Sequence, residues 1–209
     1  MSSPRLAIIG AGCSGLVTLK LARDQLPDWE IVCFEKSSKT VGCWGNPYPG
    51  FVSTSTKYTT QFSSHRKWNA KADPAQRAVR GVFFVGDVYG RYLESFVADK
   101  ELEPPIRLRS AVRRIRKDPA GWRLWIDDGT TREEVFDRLI ICTGLAEKAK
   151  AIDSPVPILP SLNNLVSNSR VVVIGGGESA ADIAPRLAAS ELGNEVYLSL
   201  KTGIRVSPR

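Results

Sequence analysis

The feature that most constrains this sequence is a glycine-rich turn close to its start. Residues 6–9 are apolar, and Gly10, Gly12 and Gly15 follow them in a GxGxxG spacing. These glycines suit a chain that turns sharply out of a strand, approaches a pyrophosphate with its backbone and packs a helix tightly on the strand. The helix N-terminus then offers free N–H groups and a positive dipole end to an anion. The pattern predicts a dinucleotide-binding βαβ unit.

The residues after this turn complete the pattern. Leu16, Leu19 and Ala22 recur at helical spacing, and a second apolar strand over residues 31–34 ends at Glu35. A carboxylate at the end of the second strand accepts hydrogen bonds from ribose hydroxyls, which fits NAD and FAD equally. A glycine-rich turn without a ligand is the alternative interpretation.

A second segment repeats this order further along the chain. Residues 171–174 are apolar, Gly175 and Gly177 open a turn, Ala180 stands at the third position, and a strand over residues 195–198 ends at Ser199. The two segments predict an α/β fold with two Rossmann-like dinucleotide-binding units, the second of them incomplete. We expect the first domain at residues 1–150, a linker at 151–168 and the second domain at 169–209.

Between the two turns the sequence predicts loops, a helix and an antiparallel sheet. Turn signals at Gly121 and Gly129 separate three strand-like segments, which indicates a three-stranded antiparallel meander. The expected segments are a loop-rich stretch over 37–78, a helix over 88–98, meander strands over 107–115, 122–126 and 134–136, a buried parallel strand over 138–142, and a proline-rich connection over 152–162.

The charge of the chain is basic, with a formal net value of +7 over 209 residues. A local cluster comprises Arg113, Arg114, Arg116 and Lys117. Clusters of this kind usually lie on a solvated strand or loop. The aromatic residues do not interleave with it along the sequence, so the chain lacks the pattern of a base-stacking platform. We therefore expect no nucleic acid partner.

The cysteines and the apolar segments exclude several other classes. Cys13, Cys33, Cys43 and Cys142 show no CxxC spacing, and His65 is the only histidine, so we expect neither a metal site nor a dithiol redox centre. The apolar run over residues 6–9 has the length of a strand and is too short for a signal peptide core or a membrane span. We expect a cytoplasmic protein with no membrane partner.

Six motifs occur in order along the chain. They are residues 10–16 (GAGCSGL), 34–36 (FEK), 41–44 (VGCW), 53–62 (STSTKYTTQF), 141–144 (ICTG) and 173–182 (VIGGGESAAD). Together they resemble the flavin-containing monooxygenase family. Residues 42–44 (GCW) and 48–50 (YPG) are also similar to elements of the related Baeyer–Villiger monooxygenases. The resemblance implies FAD in the first unit and NADPH in the second.

The resemblance also implies a role for individual residues of the first unit. The implied pyrophosphate contacts are Gly10, Gly12, Cys13, Ser14 and Gly15, and the implied contacts to the adenosine end are Glu35, Lys36 and the backbone of Val112. The resemblance places Trp44 along the cofactor near the isoalloxazine. Residues 53–61 would form a flavin-side wall, with isoalloxazine contacts from Thr59, Thr60 and Gln61, and the crossover between the two nucleotide domains would lie at Thr143 and Gly144. A polar surface loop is the alternative interpretation for the wall.

In the second unit the resemblance implies an NADPH site. The implied contacts are Gly175, Gly177, Glu178, Ser179, Ala180, Ser199 and Lys201. A preference for NADPH over NADH requires a cation near the 2′-phosphate in place of a carboxylate, because two like charges repel. Lys201 meets this requirement, and Arg205 is a possible second cation. Glu178 is equally well explained as a carboxylate favoured by the helix dipole.

The chain departs from the family pattern in one motif. The family element FxGxxxHxxx(Y/F) belongs between Gly144 and the second glycine turn, and residues 145–170 contain neither histidine nor phenylalanine. Gly86 and Asp87 resemble an element that grips the ribityl chain, but their position favours Asp87 as a helix N-cap. The chain also stops at Arg209, shortly after the second strand of the second unit. We therefore expect a second polypeptide or a second copy to complete the fold.

These features favour an NADPH-using, FAD-dependent monooxygenase, or its nucleotide-binding subunit, that oxygenates a small molecule at nitrogen, sulfur or carbon. The cofactor carries the chemistry, so no catalytic side chain is predicted. An NADPH-dependent flavin oxidase or reductase without oxygenation is the second hypothesis. A non-catalytic FAD-binding subunit is the third.

Overall fold

The structure is a computed structural model that describes residues 3–66, 83–145, 153–159 and 165–203. Contacts within the chain divide it into two units, Met1–Lys150 and Ala151–Arg209.

The first unit contains nine strands and three helices in its described part, together with a 3-10 turn at Gly42–Gly45. In chain order they are β1 Arg5–Ile9, α1 Cys13–Gln25, β2 Glu30–Phe34, β3 Val52–Thr56, α2 Lys57–Thr60, β4 Phe83–Val85, α3 Val88–Asp99, β5 Ile106–Arg107, β6 Ala111–Asp118, β7 Gly121–Asp127, β8 Thr131–Phe136 and β9 Arg138–Ile141.

A parallel sheet forms the centre of the first unit, with the strand order β5-β2-β1-β9. Side chains on β1 alternate between its two faces, as the pleat requires. Leu6 and Ile8 pack on the side of α1 and α3, whereas Ala7 and Ile9 pack against the meander. Both faces of β1 are therefore buried, which explains its continuous apolar sequence. The result is a three-layer arrangement of helices, parallel sheet and antiparallel sheet, which confirms the predicted α/β class.

The meander of β6, β7 and β8 is antiparallel throughout, as predicted. An ion-pair cluster ties it to the parallel sheet, because Glu134 on β8 accepts from Arg5 on β1 at 2.8 Å and from Arg107 on β5 at 2.5 Å. Burial works to raise the pKa of Glu134, but the hydrogen bonds from the two arginines outweigh it and lower the pKa. Glu134 therefore joins three strands as a charged group.

One strand boundary in the sequence interpretation is wrong. The segment over residues 107–115 was expected to be one meander strand, but it divides into the end of β5 in the parallel sheet and β6 in the meander. Arg109 between them has a φ of +52°, so the backbone turns out of one sheet and into the other. The β-rich composition of the segment is continuous and does not reveal this break.

Two further expectations differ from the structure. The strand expected over residues 138–142 is parallel to β1, but it is an edge strand, and Ile141 is 60% exposed instead of buried. The loop-rich stretch expected over 37–78 contains β3, α2 and the turn Gly42–Gly45 in its described part. These elements are too short for a periodic pattern to be recognised in the sequence.

The basic cluster lies on β6, where the neighbouring strand places tryptophans beside it. The guanidinium carbon of Arg114 lies 4.9 Å from the ring centroid of Trp125, and the Lys117 amine lies 5.1 Å from that of Trp122. Aromatic rings therefore interleave with the cluster across strands, which the sequence order did not show. The cations stack on the meander's own rings, as solvated strand residues do.

The second unit begins with a parallel βαβ arrangement. Its elements are β10 Arg170–Ile174, α4 Glu178–Leu187, a 3-10 turn at Ser190–Leu192 and β11 Glu195–Ser199. Strands β10 and β11 pair in parallel, with Ile174 opposite Ser199. Ala180, Ile183 and Leu187 form the buried face of α4. The described residues before β10, 153–159 and 165–169, contain no helix or strand.

Candidate dinucleotide-binding sites

The first glycine turn connects β1 to α1 with close backbone packing. Gly10 has a φ of +100°, and a Cβ atom there would lie 2.4 Å from the carbonyl oxygen of Cys142. A Cβ at Gly15 would lie 1.8 Å from the carbonyl oxygen of Gly10. Neither position accepts a side chain without movement of the backbone. Both glycines are therefore required by the turn itself.

Gly12 differs from these two glycines because its side-chain position is open. In the described part of the chain, a Cβ there would meet only the backbone of Gly42, with the Cα at 3.7 Å, which is an ordinary contact distance. The φ of −79° is accessible to any residue. Gly12 is the N-cap residue of α1. It makes no side-chain capping hydrogen bond, and the first turn of the helix contains no acidic residue. The first N–H groups of α1 are available to an anion. This geometry fits a pyrophosphate at the turn.

The carboxylate of Glu35 is a buried, hydrogen-bonded group at the end of β2. It is 5% exposed, and its two oxygens accept from the N–H groups of Ala11 and Ser37, each at 2.8 Å. One oxygen therefore supports the glycine turn, and the other supports the chain after β2. An ionised carboxylate accepts about four hydrogen bonds. Glu35 retains acceptor capacity for ribose hydroxyls while it orders the turn.

The expected adenosine end lies where β5 and β6 pass the end of β2. The N–H of Ser110 donates to the carbonyl oxygen of Glu35 at 2.8 Å, and that of Arg109 donates to Ser37 at 2.9 Å. Val112 follows on β6, half-buried against the meander core, and Lys36 is exposed beside Glu35. The structure thus brings Glu35, Lys36 and the start of β6 to one edge of the sheet.

The expected flavin-side residues lie on short elements that α3 supports. Trp44, in the turn Gly42–Gly45, meets the ring of Tyr89 edge-on at 4.8 Å. Thr59 and Thr60 belong to α2, where their hydroxyls donate to the carbonyl oxygen of Thr56. Gln61 ends this helix and is half-buried. Thr59 is exposed, so the wall offers amide and hydroxyl groups at an accessible surface.

Cys13 and Ser14 open α1 in different surroundings. The Cys13 sulfur lies 3.1 Å from the Tyr89 hydroxyl. Ser14 is exposed at the first turn of the helix. Cys33, beneath the turn, is fully buried, and burial followed by the charge of Glu35 raises the pKa of its thiol to about 12. Cys33 is therefore a protonated thiol at neutral pH.

The remaining candidates of the first unit lie after β9 and before α3. Thr143 is exposed, and Gly144 is exposed with a φ of +74°. Asp87 occupies the N-cap position of α3, but its carboxylate does not cap the helix and instead pairs with Arg91 at 3.3 Å. Asp87 is thus an N-cap by position, with its charge used in an ion pair one turn further on.

Two residues near the first turn make contacts that the sequence interpretation did not predict. Val41 is fully buried with a φ of +76°, a left-handed conformation that is strained for a β-branched residue by on the order of 1–3 kcal/mol. Its N–H donates to the carbonyl oxygen of Ala11 at 2.8 Å, so it closes the turn from the other side. Tyr89 contacts both the turn and the flavin-side segment. Neither residue carries a sequence signal of these contacts.

The second glycine turn has the same register as the first. The N–H of Gly175 donates to the carbonyl oxygen of Ser199 at 2.9 Å, and the N–H of Gly10 donates to that of Phe34 at 2.7 Å. Ser199 is therefore equivalent to Phe34, and Leu200 is equivalent to Glu35. The expectation that Ser199 matches the acidic position is wrong by one residue, because sequence spacing alone does not fix strand register.

The other candidates of the second unit surround an open turn. Gly177 is the N-cap of α4, and within the described part of the chain a Cβ at Gly175 or Gly177 would meet no atom within 4 Å. Glu178 and Ser179 are exposed in the first turn of α4, whereas Ala180 is buried against the unit. Lys201 is exposed just beyond β11. Arg205 lies outside the described residues.

Comparison with known families decides between the possible kinds of dinucleotide protein. The family model described as flavin-binding monooxygenase-like matches residues 3–209. The chain belongs to this family. The match includes both glycine turns and the segments between them, so it confirms the resemblance inferred from the motifs.

Individual relatives agree with this membership. Flavin-containing monooxygenase 1 of Mus musculus is 28% identical over 98% of this chain and 41% of its own length. The 4-hydroxybenzoate brominase (decarboxylating) of Marinomonas mediterranea is 25% identical over 98% of this chain and 40% of its length. The chain therefore spans about two fifths of the length of the curated relatives it matches.

Solved structures share the fold. The S-allyl-L-cysteine S-oxygenase from Allium sativum superposes with a TM-score of 0.73 at 21% identity, over 100% of this chain and 54% of that one. The OTEMO complex with FAD and NADP superposes with a TM-score of 0.64 at 19% identity, over 97% and 39%. The likeness to these structures shows the shared fold, and membership of a flavin-binding family supports a flavin as a cofactor.

The described part of the chain lacks two other features. Within residues 3–66, 83–145, 153–159 and 165–203, no helix is long and apolar enough to cross a membrane. In the same residues, no three His, Cys, Asp or Glu side chains form a group that could hold a metal ion.

Proposed function

We propose that the chain supplies the nucleotide-binding part of an NADPH-using, FAD-dependent monooxygenase that oxygenates a small molecule at nitrogen, sulfur or carbon. The observation that carries the proposal is the open, uncapped turn at Gly12 beside the buried carboxylate of Glu35, in a chain of this family. When bound, the flavin supplies redox and oxygen chemistry. The residues of this chain bind and orient the two nucleotides.

In the first unit we assign the FAD pyrophosphate to the backbone of Gly10–Gly15 and the adenosine ribose to Glu35. The assignment is supported by the free N–H groups of α1 and by the remaining acceptor capacity of the carboxylate. Trp44 and the segment Thr59–Gln61 form the side on which the isoalloxazine ring is expected. Their accessible amide and hydroxyl groups suit the polar edge of such a ring.

In the second unit we assign NADPH to the turn Gly175–Ala180. Leu200 occupies the place that Glu35 takes in the first unit, so no carboxylate stands there to repel a 2′-phosphate. Lys201 is the next residue and is exposed. A cation in this position favours the phosphorylated nucleotide.

Mixing the FAD-loaded chain with NADPH without oxygen tests the enzymatic part of this proposal. We expect the visible flavin absorbance to bleach, because hydride passes from NADPH to a correctly oriented flavin. Admission of oxygen with a soft nucleophile such as a tertiary amine or a thioether then separates the two enzymatic hypotheses. Oxygenated product supports a monooxygenase, and peroxide alone supports an oxidase. Persistent yellow colour with bound FAD favours a non-catalytic binding subunit and contradicts the proposal.

We further propose that the two units are completed by additional polypeptide, either a second chain, a second copy or further residues of the same protein. The support is exposed apolar surface on strands, since Ile141 on β9 is 60% exposed, and Val172 and Ile174 on β10 are 60% and 72% exposed. Apolar strand surface of this kind is normally covered. The chain spans only about two fifths of the length of these relatives, which agrees with the proposal that further polypeptide completes the units.

Sedimentation of the purified 209-residue chain with FAD tests this completion. We expect self-association or capture of a partner from the same preparation, with an interface of at least about 1,000 Å² if the contact is stable. Replacement of Ile174 by lysine should weaken the association because it places a charge on the apolar surface. A monomeric chain with full oxygenating turnover would show that no further polypeptide is needed.

A further inference from the structure

One side chain of α3 contacts three of the segments assigned to FAD. The Tyr89 hydroxyl lies 3.1 Å from the Cys13 sulfur in the pyrophosphate turn and donates to the carbonyl oxygen of Thr60 at 3.0 Å. Its ring packs edge-on against Trp44 at 4.8 Å. Tyr89 is 3% exposed. A single buried residue thus touches the turn, the tryptophan and the flavin-side segment.

The directions of the two hydrogen bonds of the Tyr89 hydroxyl follow from the number of protons that each group can donate. A tyrosine hydroxyl has one proton, and Tyr89 donates it to Thr60, so the thiol of Cys13 is the donor to the Tyr89 oxygen. Burial, followed by the bond to Cys13, raises the pKa of Tyr89, which keeps the hydroxyl protonated at neutral pH. The result is a continuous chain from the Cys13 S–H through the Tyr89 O–H to the Thr60 carbonyl.

The ring of Tyr89 is held by its neighbours. It stacks on Phe84 with centroids 5.3 Å apart and on Tyr92 with centroids 5.5 Å apart. Gly90, the next residue, packs so closely that a Cβ there would lie 2.4 Å from the Trp44 carbonyl oxygen. This packing fixes where the hydroxyl lies, and loss of the hydroxyl alone leaves the packing in place.

A second anchor holds the far end of the flavin-side segment. The Tyr92 hydroxyl accepts from the N–H of Phe62 at 2.6 Å and donates to the carbonyl oxygen of His65 at 2.9 Å. The His65 ring is buried, with Ser95 at 2.9 Å and Asp99 at 3.3 Å. Because α3 already holds residues 62–65, the Tyr89 bond sets the position of residues 59–61 relative to the pyrophosphate turn.

We propose that Tyr89 is a positioning residue for FAD, which couples the pyrophosphate turn to the flavin-side segment through its hydroxyl. This inference rests on the proposed FAD site of the first unit. We expect its effect to reach the cofactor through Cys13, in the glycine turn, and Thr60, in the flavin-side segment.

The test is a comparison of FAD binding by the full chain and its Tyr89→Phe variant. We expect the apoprotein to unfold at a similar temperature, because the ring is retained, and FAD affinity to fall roughly five- to tenfold, the size of one or two lost hydrogen bonds. The visible absorption and circular dichroism of the bound flavin should also shift, a change that a loss of stability alone does not produce. Tyr197→Phe, which removes a hydroxyl in the second unit, is the matched control and should bind FAD as the parent does.

A double-mutant cycle with Cys13→Ala identifies the route of the effect. If the two residues act through one hydrogen-bonded chain, the double variant loses less FAD affinity than the two single variants together. If Tyr89→Phe does not fold, the FAD affinity of the Cys13→Ala variant still tests the hydrogen-bonded chain from Cys13 to Thr60. Additive losses, or a Tyr89→Phe variant with unchanged affinity and flavin spectrum, would overturn the inference. Absence of FAD binding by the parent chain would instead overturn the proposed function.

Discussion

Replacement of Gly12 by valine is expected to abolish FAD binding while the apoprotein remains folded. The backbone of Gly12 is extended, and among the described residues a Cβ there meets the backbone of Gly42 alone, with the Cα at 3.7 Å, so the backbone accepts a Cβ atom. We expect the free energy of unfolding to stay within about 1 kcal/mol of the parent. The added methyl groups occupy the space that the pyrophosphate needs. Flavin content after purification and thermal unfolding of the apoprotein measure the two effects.

Two matched variants separate the ligand effect from the effect on the turn. Gly15→Ala places a Cβ 1.8 Å from the Gly10 carbonyl oxygen, so it should lower the free energy of unfolding by about 1–3 kcal/mol without any ligand. Gly177→Val changes the equivalent N-cap of α4 and should leave FAD content unchanged. If the Gly12→Val chain retains full flavin content, the pyrophosphate does not lie at this turn.

Replacement of Lys201 by glutamate is expected to weaken NADPH binding by about tenfold to a hundredfold and to leave NADH binding nearly unchanged. A charge-assisted hydrogen bond to a phosphate contributes about 1.5–3 kcal/mol, which corresponds to this range. The glutamate also introduces a charge that repels the 2′-phosphate. Titration of both nucleotides into the parent and the variant measures the difference, and increasing salt should reduce it.

The equivalent residue of the first unit provides the control for this substitution. Lys36 follows Glu35, and Lys201 follows Leu200. The shared register therefore makes Lys36 the equivalent of Lys201. Lys36→Glu makes the same change of charge in the other unit and should leave NADPH affinity unchanged. Equal losses of NADPH and NADH binding in the Lys201 variant would mean that this lysine supports the unit and does not select the nucleotide.

The parts of the fold that follow from local pattern were predicted from the sequence. The helix carrying Leu16, Leu19 and Ala22 has its buried face as expected, because helical periodicity records which side packs inward. Strands β1, β2, β10 and β11 were located because apolar runs stop at glycine turns or polar residues. The meander was found because turn residues separate its strands.

The parts that depend on distant contacts were not predicted. The reversal at Arg109 divides a segment whose composition is uniformly β-like, so only the pairing of Arg107 with Phe34 shows where β5 leaves the first sheet. The equivalence of Leu200 with Glu35 required the register of two strands. Tyr89 and Val41 reached the site through packing between elements far apart in the chain, which no local pattern encodes.

The two hydrogen bonds of Glu35 limit how this site can be redesigned. Its carboxylate is the residue that a designer would exchange for a cation to favour a phosphorylated nucleotide in the first unit. The same carboxylate accepts a hydrogen bond from the N–H of Ala11, so the exchange would remove support from the turn to which we assign the phosphates and bury a positive charge beside its N–H groups. Ligand selectivity and loop order are therefore inseparable in the first unit. Lys201 is exposed just beyond β11, so we expect that one substitution there alters nucleotide preference without disturbing the glycine turn of the second unit.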